Sequence, residues 1–166
     1  MRNSAVMVGV ALVLGACASE RMPMRPSYTG TERHFAPAVI IGHGTYHIQG
    51  GAHGSCIGQS VALMRDTPAF RHRIVSLYGS SEHALQSVKE VQSRSARLGE
   101  AEENPLVQSV QCGSSAAFVF TGLQPGSYFI IARVRHAEPK AAAEDYVVMD
   151  RVYLNEGETR GVNLTP

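Results

Sequence analysis

From residue 116 to residue 164 the chain alternates apolar and polar positions in short runs separated by turn residues. A period of two is the signature of half-buried strands, and it constrains this fold more than any other feature. Residues 116–121 (AAFVFT) read as one strand, 122–126 as a turn and 127–135 as the next strand. On that second strand Tyr128, Ile130, Ala132 and Val134 share one face, while Phe129, Ile131, Arg133 and Arg135 take the other. Residues 146–154 and 159–164 supply two more strands, the last with Val162 and Leu164 on one face. Upstream, residues 39–49 are β-rich but broken at Gly42 and Gly44, and residues 59–65 place Val61 and Leu63 together. Residues 70–78 fit either a strand or a helix. About seven strands with frequent turns predict a mainly β, seven-stranded antiparallel sandwich over residues 38–166.

One stretch has a different period. Within residues 80–100, Leu85, Val88, Val91 and Leu98 recur at helical spacing, with Lys89, Glu90, Arg94 and Arg97 elsewhere on the wheel. Ser80-Ser81 offers a cap and Gly99 a stop. The reading is one inserted surface helix laid on the sandwich; the competing reading is a helix that docks a partner. Residues 100–105 (EAEENP) form an acidic, solvated turn.

The N-terminus carries an address. Met1-Arg2-Asn3-Ser4 precedes a short apolar run that ends in Leu14-Gly15-Ala16-Cys17. One positive charge and a short apolar core make a secretory signal over residues 1–16, too short to span a membrane. The final four residues resemble the lipobox of bacterial lipoproteins, in which cleavage precedes the Cys and its thiol is acylated. That resemblance implies lipidation at Cys17, palmitate among the acyl chains, and a membrane partner reached through the anchor. Ala18, not Asp, follows the Cys, which implies the outer membrane, with the domain facing the periplasm. The other reading is an ordinary signal peptide cut near Ala16-Cys17-Ala18. Residues 17–37, with Pro23, Pro26 and Pro37, read as a flexible tether. Fifteen basic and 14 acidic side chains leave a net charge of +1, so nucleic acid is not an expected partner.

Setting Cys17 aside leaves Cys56 and Cys112. Outside the cytoplasm an even pair predicts a disulfide, worth roughly 4 kcal/mol for a loop of about 56 residues. A catalytic Cys56 beside His53 is the rival, but the surroundings read as a turn.

The sharpest motif is Phe118-Val119-Phe120-Thr121-Gly122-Leu123-Gln124-Pro125-Gly126-Ser127-Tyr128. It resembles the F-x-F-x-x-L-x-P-G-x-Y turn of carboxypeptidase regulatory-like domains, which are transthyretin-like β-sandwiches. The resemblance spans residues 44–165. It implies inward Phe118 and Phe120, Leu123 plugging the end of the core, a Pro125-Gly126 turn, and Tyr128 opening the return strand. It also implies a binding or structural module.

Other chemistry is thinly supported. His43, His47 and His53 lie in one glycine-rich stretch, but His43 and His47 stand about 13 Å apart on a strand, at about 3.3 Å per residue. No zinc spacing is present, so neither metal nor cofactor is expected. Ser114 and Ser115 lack a nucleophile-elbow sequence, and phosphate-loop and dinucleotide motifs are absent. Arg133, Arg135, His136, Lys140 and Arg151 make a loose basic patch, read as a solvated strand edge. The expectation is a non-enzymatic envelope lipoprotein that contacts an envelope protein. The alternative is a carbohydrate-binding module with a glycan ligand. The absence of Trp and an aromatic content of 7% weigh against sugar-stacking platforms.

Overall fold

The computed structural model describes residues 35–47, 53–101, 103–136 and 145–165. The expected signal sequence, Cys17 and nearly all of the tether lie outside the described residues. The elements are β1 (Ala38–His43), β2 (Thr45–His47), β3 (His53–Ser55), β4 (Ser60–Arg65), α1 (Pro68–Tyr78), β5 (His83–Ser87), α2 (Val88–Leu98), β6 (Leu106–Gln111), β7 (Ala117–Leu123), β8 (Gly126–His136), β9 (Tyr146–Leu154) and β10 (Thr159–Asn163).

The strands form a β-sandwich, as the alternation predicts. One sheet has three strands in the order β10-β1-β7, with β1 parallel to β10 and antiparallel to β7. The other has seven strands built around β8. Strand β9 flanks β8 on one side, and β4 and then β3 flank it on the other. Strands β6, β2 and β5 extend this sheet from β4, β3 and β9.

The sandwich interior is filled by Ile40, Phe118, Phe120 and Leu123 from the small sheet against Val61, Leu63, Tyr128, Ile130, Ala132 and Val134 from the large one. These are the inward positions that the period of two assigns. Gly42 does not break β1. It is paired within the strand, and the Phe118 ring lies where a Cβ would stand, 2.1 Å from the nearest ring carbon. Gly44 marks a real change, because the chain crosses there from the small sheet to the large one.

The large sheet is apolar on its outer face too. Phe129 and Met149 pack there against Phe70, Ile74, Leu77 and Tyr78 of α1. Residues 70–78 are therefore helix, and the i, i+4, i+7, i+8 spacing of those four side chains explains it. Thr67 caps α1 by accepting from the Phe70 N–H at 3.1 Å, Pro68 sits in the first turn, and Gly79 closes the helix in the left-handed region at φ 80°.

The expected helix over residues 80–100 is corrected. Its first part is β5, paired with β9 from His83↔Asp150 to Ser87↔Tyr146. The unpaired edge of β9 claims this segment, and Leu85 packs against the main core. The helix starts only at Val88, capped by Ser87 and not by Ser80 or Ser81. Gly99 ends it, as the sequence suggests. Residues 80–100 thus hold a strand followed by a helix where a single helix is expected.

Candidate functional site

Cys56 and Cys112 form a disulfide with a Cα–Cα distance of 5.7 Å, and both are buried. The bridge closes a loop containing β4, both helices, β5 and β6. A Cβ at Gly44 would lie 2.6 Å from Cys56 Sγ, so the chain crossing needs glycine there.

The motif residues shape the core. Phe118 and Phe120 point inward and meet edge-on with centroids 5.7 Å apart, and Leu123 is buried beside them. Pro125 lies in the turn, and Gly126 opens β8 at φ 145°. Tyr128 is fully buried. Its hydroxyl donates to the Gln124 carbonyl at 2.7 Å, and the Arg65 guanidinium lies 5.2 Å from its ring centroid. The turn is thus closed by a tyrosine hydrogen bond and a cation–π contact.

The histidines lie on different sheets. His43 is exposed on β1 of the small sheet, whereas His47 and His53 are register partners on β2 and β3 of the large one. Among the described residues, no three of His, Cys, Asp and Glu come together. Ser114 and Ser115 are exposed in the turn before β7. Tyr46 is buried beside Tyr146, with ring centroids 6.2 Å apart. Burial, then the neighbouring Tyr146 and Asp145, push its phenol up to about 12.

The expected basic patch is split. Arg133 and Arg135 share Asp145 at 3.7 and 3.5 Å. Arg151 is turned away into a separate network, donating to Asp66 at 2.8 Å and to Glu82 at 2.9 Å. The Asp66 carboxylate is fully buried and also takes two bonds of 2.8 Å from Arg71. Burial pushes its carboxyl up, but the hydrogen bonds from Arg71, Ser127 and Arg151 and the Arg151 charge outweigh that, so it sits below the usual carboxylate range. The network ties the start of α1 to β9. Lys140 and the His136 side chain lie outside the described residues.

A concavity among the described residues lies on the outer face of the large sheet. Helix α1 leaves the outer side of β4 partly uncovered, and an open groove of 610 Å³ remains between them. Ala62, Met64, Ile131, Phe70, Ile74 and Leu77 line its apolar interior. Its far wall is the segment after α2, with Glu100, Ala101 and Glu103. Arg73 clips that wall to α1 by donating to the Gly99 carbonyl at 2.6 Å and the Glu100 carbonyl at 3.5 Å. Thr67 donates to Glu103. Tyr78, also in the lining, has its phenol pushed up to about 12 by burial, so it stays neutral. The sequence signals that could have found this site are Thr67-Pro68 as a helix start and the spacing of Phe70, Ile74 and Leu77. The path of residues 99–101 and 103–105 has no such signal.

No protein-family model matches the chain, and no curated protein matches it. The fold is similar to the crystal structure of a Pseudomonas aeruginosa protein provisionally described as carbohydrate-binding. The match has a TM-score of 0.56 at 16% identity and covers 87% of this chain and 99% of that one. Identity at that level speaks to the fold alone.

Proposed function

We propose that the chain is a non-catalytic interaction module of the bacterial envelope, anchored in the outer membrane through lipid on Cys17 and facing the periplasm. The observation that carries the interaction reading is the groove. A sheet face otherwise sealed by α1 is left open beside an apolar floor, where a binding surface is expected to be concave and apolar with few polar groups. The address is supported by the Leu14-Gly15-Ala16-Cys17 sequence and by a disulfide that suits an oxidising compartment. The FVFTGLQPGSY segment supports placing the domain among carboxypeptidase regulatory-like sandwiches.

The test is affinity purification of the tagged, lipidated chain from gently solubilised membranes, with a C17S form as control. The expected result is a reproducible set of envelope proteins with the lipidated chain and palmitate label only where Cys17 is present. Recovery of no protein, or equal membrane attachment and labelling of C17S, would overturn it.

A second reading, glycan binding, is supported by the description of the structural neighbour. Against it, among the described residues only Phe35 and Tyr153 are large exposed aromatics. A glycan array probed with the full chain separates the two: saturable binding lost in Y153A favours the glycan, and silence favours a protein.

A further inference from the structure

We infer that the groove between α1 and β4 receives a basic peptide segment bearing one large apolar side chain. The inference rests on the interaction-module reading and names the partner's chemistry. Two observations fix that chemistry, one for the floor and one for the rim.

The floor asks for an apolar anchor. Ala62 and Met64 are only half-buried, although their strand lies in the middle of the sheet. On the inward side of the same strand, Val61 and Leu63 are completely buried. The deficit is on one side only, and its place is the groove. The volume, 610 Å³, lies within the roughly 300–1,000 Å³ typical of ligand clefts. A Phe or Leu side chain entering there would complete the cover that α1 begins.

The rim asks for a cation. Among the described lining residues, Glu100 and Glu103 stand against one guanidinium, Arg73, a net charge of −1. Arg73 is spent on the carbonyls of Gly99 and Glu100. No ion pair among the described residues engages Glu100 or Glu103. The Glu100 carboxylate and the Glu103 oxygen that Thr67 does not engage therefore remain available to a Lys or Arg of the partner, and they repel an anionic lipid surface or an acidic peptide. The attraction is between exposed charges and weakens with salt, since screening acts over about 8 Å at physiological ionic strength.

The test uses the full chain in detergent micelles and three fluorescein-labelled decapeptides. One carries a Phe between two Lys, one has both Lys changed to Glu, and one has the Phe changed to Ser. The first is expected to bind at least about tenfold more tightly than the others at low salt, about 1.4 kcal/mol in binding free energy. In E100Q/E103Q the preference for Lys over Glu should vanish. Ala101 is exposed, so A101W fills the groove without touching the core; it should abolish binding at unchanged circular dichroism. Equal binding of the Lys and Glu peptides, absence of binding, or full binding to A101W would each overturn the inference. Co-purification separates the two readings. If A101W retains the envelope proteins that accompany the unaltered chain, the groove assignment fails and the interaction reading stands. If neither chain retains any, both fail.

Discussion

The two helices both lie between β4 and β6 and have 11 residues each, yet different forces hold them. Helix α1 buries Phe70, Ile74, Leu77 and Tyr78 against the sheet, whereas α2 buries no residue. Only Val91 of α2 packs, partly covered, at the margin of that second core. What fastens α2 is polar. Arg94 donates to the Leu77 carbonyl at 2.8 Å and to Glu90 at 2.9 Å, and Glu90 shares the first turn with the Ser87 cap. The lesson is that α1 belongs to the fold, and α2 is a strap laid over it. The groove wall runs directly from the end of α2, so it hangs from the weaker helix. Elements with few buried apolar contacts open at lower free-energy cost than the core, which suits a wall that must admit a ligand.

The comparison can be broken most severely at the bridge. Both helices lie inside the loop closed by Cys56–Cys112, so C56A/C112A should loosen both at a cost of roughly 4 kcal/mol, read as a lower urea midpoint. Next comes Ile74, which is fully buried. I74A should cost about 2–5 kcal/mol and V91A less than about 1 kcal/mol, because only the first removes a fully buried side chain. Equal losses in urea unfolding would show that α2 is as much a part of the core as α1.

Asp66 sharpens the contrast from the N-terminal end of α1. D66N leaves Arg71 and Arg151 without their shared carboxylate, at a cost of about 2 kcal/mol once the partial exposure of both arginines is allowed for. The pH dependence has a definite sign. The folded carboxyl is held below its unfolded value, so its contribution is complete above the unfolded pKa of about 3.9. It is lost as pH falls through the folded value. Between pH 6 and pH 2 the difference in urea midpoint between the natural chain and D66N should shrink; a constant difference contradicts the assignment. The smallest effect is expected for R94A, about 1 kcal/mol or less. Its mark is local: amide exchange should quicken across α2 and leave α1 unchanged.

How much of this is legible in sequence follows from the same contrast. Strands β7 to β10 repeat every two residues and end at Pro125-Gly126 and Gly157, so they can be read locally. Both faces of β8 are assigned correctly by alternation alone. Strand β5 cannot be read that way. His83–Ser87 is a strand because β9 has an open edge to fill, and Leu85 fits a helical stripe equally well. The sequence offers Ser80-Ser81 as the cap, and the pairing of residues 83–87 with β9 moves it to Ser87. The disulfide is legible from cysteine parity together with the expected oxidising compartment. The groove depends on where α1 lands on the sheet and on the path of residues 99–101 and 103–105, and neither is encoded in a motif.

The most direct test of the central claim is photo-crosslinking of the full chain in intact cells. The crosslinking residue, an aliphatic diazirine small enough to leave the groove open, is placed at Ala101 on the groove wall or at Val119 on the exposed face of the small sheet. The account predicts a discrete envelope-protein adduct from position 101 and none from position 119. An adduct from position 119 alone, or none from either, would contradict it.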